Sequence, residues 1–214
     1  ELAEAFSAIP RIITGCSRGA AVGESGAAGV NTDVVLCAVD VEAWEHGHEH
    51  VLEIGLASYS IATSQFTCRH LVITENLDRR NGTFVKDNRE YFLFGRSEPM
   101  LQSDAAAAAA EQLAACDYIV GHAIKGDAAW LNKIGVSMHG KQMVDTQEMD
   151  FALSDRRQAG LETLASECGL NPRRLHNGAN DAAYTLQVFL KQCSVPFRML
   201  EERGDADAPQ AIGG

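Results

Sequence analysis

Read for apolar and polar positions alone, the chain divides into strands and helices from residue 34 onward. Val34–Val39 is an unbroken apolar run, which suits a strand buried on both faces. Val51–Ser60 and Arg69–Thr74 follow after short polar breaks and predict an antiparallel meander. Ala105–Ala110, flanked by Asp104 and Glu111, predicts a helix that Ser103 or Asp104 would cap, because alanine has the highest helix propensity. Tyr118–Val120 then reads as a short strand, Asp127–Ile134 as a helix, Met143–Asp145 as a strand and Thr146–Leu153 as a helix. Leu161–Cys168 has helical spacing and stops at Gly169, and a last strong helix runs from near Asn180 through Leu186, Phe189 and Leu190. Three strands followed by alternating helix and strand predict an α/β domain. Its mixed sheet would have five strands, three antiparallel and then parallel ones, flanked by helices.

Around that core, residues 1–32 read as an extension ending in a flexible Gly/Ala/Ser-rich connection over Gly15–Asn31. The domain proper occupies 33–200, and 201–214 reads as a loose acidic tail. The chain starts at Glu1 with neither an initiator Met nor a basic-then-apolar leader, so it reads as a trimmed fragment whose targeting signal would have been lost.

Composition narrows the function classes. The 214 residues carry 18 Lys+Arg against 29 Asp+Glu, a net charge of −11, which argues against a protein that coats nucleic acid by charge alone. No apolar run approaches the ~20 residues a membrane span needs, so no membrane partner is expected. The six cysteines Cys16, Cys37, Cys68, Cys116, Cys168 and Cys193 form no CxxC pair and read as small buried hydrophobes. They favour a reducing compartment, the cytoplasm first and the nucleus as its alternative.

Candidate chemistry begins at Asp40 and Glu42, two carboxylates after the buried run. Residues two apart share one face of a strand, so Val41 would enter the core while the acids converge. Like charges so placed raise each other's pKa unless a cation intervenes; a solvated strand end is the plainer reading of such a pair alone. In Gly121–Asp127, a strand leads into a helix with Asp127 in its first turn, either as an N-cap or turned to the core beside Leu131 and Ile134. His176-Asn177-Gly178-Ala179-Asn180-Asp181 is equally ambiguous: Asn180 would cap a helix opening at Asp181, and Gly178 would admit backbone closed to other residues. Four acids aimed at a core are costly without counter-charge. Oxygen ligands suit Mg²⁺ or Mn²⁺, and paired ions about 4 Å apart serve phosphodiester displacement. A histidine near the attacking water can take its proton.

In this order the residues resemble the DEDDh 3′–5′ exonucleases, a proofreading-exonuclease-like family with a ribonuclease-H-like domain. Val39-Asp40-Val41-Glu42 with Leu52-Glu53-Ile54-Gly55-Leu56 is similar to the first family motif, and Tyr118-Ile119-Val120-Gly121-His122 through Asp127 and Leu131 to the second. His176 and Asp181 match the third, and the likeness covers residues 33 to 193. It implies that Asp40 bridges two Mg²⁺ or Mn²⁺ ions per site, with Glu42 and Asp181 completing the first site. Asp127 would hold the second ion and His176 would act as general base. The implied activity is hydrolysis of a single-stranded RNA or DNA 3′ end, RNA favoured, to 5′-mononucleotides. Two positions depart from the family pattern. Ala43-Trp44-Glu45 replaces small Thr/Gly residues, and Ala123 stands where Asn is frequent; both lie where the terminal nucleotide would sit. Asp40–Glu45 and Asn76–Glu98, with Asn81-Gly82 and Phe94-Gly95-Arg96-Ser97-Glu98, resemble a fungal branch more narrowly. That branch includes exonucleases that partner Argonaute in RNA silencing and relatives linked to messenger-RNA export. It implies the passenger strand of a small RNA duplex as substrate and an Argonaute protein as partner. The alternative is a silent exonuclease-fold module that binds a protein. Oligomeric state stays open.

Further residues are candidates for substrate contact. Ala43 and Trp44 adjoin the first motif, Trp44 as a base-stacking or packing residue, and His122 lies in the second. Arg173 and Arg174, like Arg156 and Arg157, would grip phosphates or compensate helix ends. Residues 69–96 hold six basic groups against four acids, with Tyr91, Phe92 and Phe94 interleaved, either a nucleic-acid track or solvated ion pairs. His46, His48 and His50 alternate in a polar loop without the matching ligand pair a zinc site needs. Asp145-Thr146 reads as a strand end and helix cap.

Overall fold

The computed structural model describes residues 33–47, 49–154 and 157–212. The Gly15–Asn31 connection, Cys16, His48 and Arg156 lie outside them. The strands are β1 (Val35–Ala43), β2 (Val51–Ser60), β3 (Gln65–Ile73), β4 (Ser97–Met100), β5 (Tyr118–Gly121) and β6 (Gln142–Asp145). The helices are α1 (Gln102–Ala115), α2 (Lys125–Lys133), α3 (Thr146–Ser154), α4 (Leu161–Glu167) and α5 (Gly178–Gln192). One mixed sheet has the order β4-β3-β2-β1-β5-β6. β1 to β3 form the antiparallel meander, and β5 and β6 add in parallel beside β1.

The sheet has six strands where sequence predicts five. The additional β4 is four residues long, contains Pro99 and runs parallel to β3 at the sheet edge. An edge is where a strand tolerates proline, and neither its length nor its composition carries a strand signal.

Alternation along β1 sorts the core. Leu36 and Ala38 pack with Ala182, Leu186 and Phe189 of α5, whereas Cys37, Val39 and Val41 pack against Ala105, Ala109 and Leu113 of α1. Residues 178 to 190 of α5 are all buried. One side lies on the sheet, while Tyr184 and Val188 on the other meet Leu164 of α4, Leu93 and Ala206. The five described cysteines are free thiols; Cys37, Cys116 and Cys193 are buried, and Cys68 and Cys168 are half-buried.

Three local expectations are corrected. Neither Ser103 nor Asp104 caps α1: its N-cap is Leu101, and the Gln102 N–H donates to Glu75. Asn177, not Asn180, caps α5, its side chain accepting from the Asn180 N–H at 3.1 Å. The segment after residue 200 is docked rather than loose. Arg203 and Gln210 bond to backbone of Glu90, Phe92, Leu93 and Gly95, and Ala206 and Gln210 are buried.

Gly178 acts by its lack of a side chain rather than by unusual backbone conformation. Positive φ falls instead on its neighbours Arg174 (54°) and His176 (63°). A carbon added at Gly55 would lie 2.0 Å from the backbone of Gly178, so the start of α5 rests directly on β2. Gly55→Ala is expected to cost about 1–3 kcal/mol in overpacking and to melt several degrees lower. Gly178→Ala, whose added carbon would stand 3.1 Å from the Gly55 nitrogen, should cost less. Thermal unfolding followed by circular dichroism checks this order, and a Gly55→Ala protein melting with the wild type would overturn it.

Candidate active site

The core sorting along β1 carries through to its end. Asp40 and Glu42 continue the Leu36–Ala38 parity and face α5, while Val41 between them is buried on the opposite side. Asp40 pairs in register with Gly55, and the added-carbon position of Gly178 lies 3.7 Å from Asp40 Oδ2. The glycine contact therefore sets α5 close enough to deliver Asp181, in its first turn, to the strand carboxylates. Asp127 enters from the first turn of α2 and is not that helix's cap. Its Oδ1 accepts from the Val41 N–H at 2.9 Å, tying α2 to β1. Asp145 does serve as the cap at the β6–α3 junction, accepting from Gln147 N at 2.9 Å. It also accepts from Ala123 N and Ile124 N, holding Ala123 at a φ of 59°. Asparagine tolerates that left-handed conformation better than alanine does, a physical reason for the residue frequent in the family there.

All four acids are raised by burial and by neighbouring carboxylates. Burial pushes Asp40 well above the carboxylate range, and Asp127, Asp181, Glu42 and Glu53 add to it. Glu42 is raised by burial first, then by Glu53, Asp181 and Asp127. Burial lifts Asp127 to about 7 and Asp181 to about 8, against hydrogen bonds from Val41 and His176 that lower them. Glu53, opposite Glu42 in the register, is a fifth acid beside these four, but it has a counter-charge in Arg89 and a hydrogen-bond partner in His70. His70 Nε2 lies 2.8 Å from its Oε2 and Arg89 Nε 3.3 Å from its Oε1.

The donor set fits a divalent cation. Glu42, His176 and Asp181 each present a ligand atom within 4.8 Å of the others. Asp181 Oδ2 accepts from the His176 N–H at 2.9 Å, while its Oδ1 is buried without a hydrogen-bond partner. A buried carboxylate oxygen left bare in a ring of acids is what a hard cation satisfies. The His176 ring reaches solvent but is held below the usual imidazole pKa by partial desolvation, then by Lys86.

The surrounding candidates separate. Ala43 and Trp44 line a cavity of 310 Å³ beside Glu42, with Asn81, Phe84 and Trp130. The 81–85 loop is pinned there: Glu45 accepts from the N–H groups of Thr83, Phe84 and Val85, and Asn81 bonds Glu45 N and Ala43 O. Burial alone would raise Glu45, but those donors bring it down to about 2. His122 packs by Nδ1 on Thr146 Oγ1 at 3.0 Å and takes no part in the carboxylate cluster. Arg173 is engaged by Glu202 and Asp207, so it is not a free phosphate ligand. Arg174 stacks over Tyr91 and lines a second cavity, of 280 Å³, that His176 also lines. Of the six basic groups in 69–96, Arg69, Arg79, Arg80, Arg89 and Arg96 are ion-paired, which favours the ion-pair reading of that segment. The histidine loop forms no metal cluster among the described residues: His46 lies against Trp44 and Phe84, and His50 against Trp44. Sequence reasoning missed Glu53, His70, Phe84 and Trp130, because their roles rest on pairings between distant segments. Lys86 it counted only within the basic track.

Comparison with known proteins accords with this geometry. Three relatives are similar over most of the chain. The uncharacterized protein YDR514C of Saccharomyces cerevisiae is 30% identical over 79% of this chain and 43% of its own length. Good for full DBP5 activity protein 2 of the same yeast is 25% identical over 78% of this chain and 37% of its own. An uncharacterized nucleolar protein of Schizosaccharomyces pombe is 25% identical over 71% and 65%. The chain thus spans about two fifths of the two budding-yeast relatives. Residues 35–192 match the DEDDh family model for the DNA polymerase III subunit epsilon-like C-terminal domain. With that match running from β1 to the end of α5, the chain belongs to the DEDDh exonuclease family, nucleases that generally work with divalent metal ions.

Proposed function

We propose that this domain is a metal-dependent 3′–5′ exonuclease acting on single-stranded nucleic acid, with RNA favoured, and releasing 5′-mononucleotides. The observation that carries the reading is the bare, buried Asp181 Oδ1 within a cluster of raised carboxylates beside a histidine. Asp40, Glu42, Asp181 and Asp127 would hold Mg²⁺ or Mn²⁺. The bound ions would supply an acidified water and charge stabilisation for the leaving oxygen. His176, kept neutral near pH 7 by desolvation and Lys86, accepts the proton from the attacking water. Its backbone is fixed by Asp181, so base and carboxylate move as one unit. Trp44 and Phe84 offer aromatic faces to the terminal base without reading its identity.

One relative's name ties that protein to DBP5 activity, and this favours a second reading in which the domain supports a protein partner. An Argonaute partner belongs to the same class of proposal. In either case the partner would bind an Asp40→Asn protein as well as the wild type, which separates binding from chemistry.

With Mg²⁺ or Mn²⁺ the purified domain should shorten RNA and DNA oligonucleotides from the 3′ end, RNA faster, and chelator should stop it. Asp40→Asn should abolish turnover, and His176→Ala should slow it about 10²–10⁴-fold. Denaturing gels check both; a metal-loaded wild type that leaves every 3′ end intact would overturn the proposal.

The raised carboxylates also set a pH dependence. Asp127 and Asp181 bind protons more tightly folded, at about 7 and about 8, than at the roughly 3.9 of a free aspartate. Their contribution to stability is therefore full below about pH 4 and lost as pH rises through 7 to 8. Metal-free protein should lose melting temperature between pH 5 and 8, while the gain on adding Mg²⁺ grows over that interval. Asp181→Asn should flatten both trends in differential scanning fluorimetry. A wild-type slope matching that of Asp181→Asn would refute the assignment.

A further inference from the structure

The carboxylate cluster is flanked by a second cavity with the opposite electrostatic character. It has a volume of 280 Å³ and is lined by Lys86, Asn88, Glu162, Arg174 and His176 among others. Across the described residues the arginines of this acidic chain are mostly spoken for by carboxylates, including the neighbouring Arg173. Lys86 and Arg174 are exceptions: among the described residues neither forms an ion pair, and Glu162, which also lines the cavity, pairs with neither. The Arg174 guanidinium lies over the Tyr91 ring, 4.0 Å from its centroid. Stacking of that kind fixes the plane of the group and leaves its N–H edge available. Its backbone is held at positive φ, with the carbonyl accepting from Asn180 Nδ2 at 2.9 Å. The segment carrying Lys86 is fastened to the same loop, because Asn88 Nδ2 donates to Leu175 O at 2.6 Å and Asn177 Nδ2 donates to Asn88 O.

Two cations with no ion-pair partner among the described residues thus share one cavity wall with His176. We propose that Lys86 and Arg174 form an anion site for a phosphate group of the nucleic-acid substrate or of the released nucleotide. The site rests on the exonuclease reading for its ligand, but its existence does not require turnover. Arg174 supplies a planar fork suited to two phosphate oxygens and Lys86 a point charge. In a protein with a net charge of −11, this local pair offsets the repulsion that a polyanion meets on approaching the acids.

The test is the salt dependence of single-stranded oligonucleotide binding, measured by fluorescence anisotropy with Ca²⁺ in place of Mg²⁺. A single-strand contact contributes about 0.7 to the slope of log K against log salt, so Lys86→Gln with Arg174→Gln should reduce that slope by about 1.4. Arg198→Gln, which removes an exposed charge paired with Glu201, is the control and should leave it unchanged. Inhibition by a nucleoside 5′-monophosphate, compared with the free nucleoside, identifies the source of the phosphate. A reduced slope assigns the site to the strand, and lost monophosphate inhibition at unchanged slope assigns it to the product. If the double variant keeps its fold by circular dichroism and both readouts match the wild type, the site is refuted. If the slope falls but the wild type never shortens a strand, the anion site stands and the exonuclease reading falls.

Discussion

Everything in this domain answers to one electrostatic constraint: carboxylates from β1, α2 and α5 must be held together although they repel. Burial and neighbouring carboxylates push all four upward, so the cluster cannot assemble itself. It is imposed by the frame. Gly55 and Gly178 let α5 sit on β2 without an intervening side chain, Asn177 caps that helix, and the Val41 N–H holds Asp127. The frame stores the repulsion as raised pKa, and a divalent cation bound there would release it.

The fifth acid shows how the same neighbourhood handles a charge that is not for metal. Glu53 is 3% exposed and sits beside Glu42, yet the 1%-exposed Arg89 supplies its counter-charge, the His70 ring hydrogen-bonds with it, and the Gly178 N–H adds a weak third contact. Removing one member of such a buried pair typically costs about 3–5 kcal/mol, because the other is left uncompensated. Arg89 also donates to the carbonyls of Leu77 and Arg79. One buried guanidinium therefore fastens the long β3–β4 connection to the sheet beneath the site, and that connection carries Asn81, Phe84 and Lys86 to its two cavities.

What the sequence revealed follows from which interactions are local. Strand alternation puts Asp40 and Glu42 on one face, and motif order singles out Asp127, His176 and Asp181. Caps were less legible. Asn177 and Asn180 are both capping residues by type, and only packing of Asn180 against Leu93 N, Tyr91 O and Arg174 O leaves the cap to Asn177. β4 escaped because four residues with a proline have no alternation to read. The tail looked loose because its composition is acidic, whereas its anchors, Gln210 and Arg203, bond to backbone more than a hundred residues earlier.

That tail also decides which cations are free to act. Glu202 and Asp207 occupy Arg173, and Asp205 contacts both Arg96 and Arg203. Two adjacent arginines that are indistinguishable in sequence thereby acquire opposite fates, since Arg174 stacks on Tyr91 and has no ion pair among the described residues. Net charge is a poor guide to nucleic-acid handling in such a protein. The field a phosphate meets depends on the few cations without partners and on the metal charge that the acids can hold, and both converge at His176. Acidity of the whole chain would be compatible with affinity of one cleft for a polyanion, because pairing quenches charge over a few ångströms, while the cleft is read at the same range.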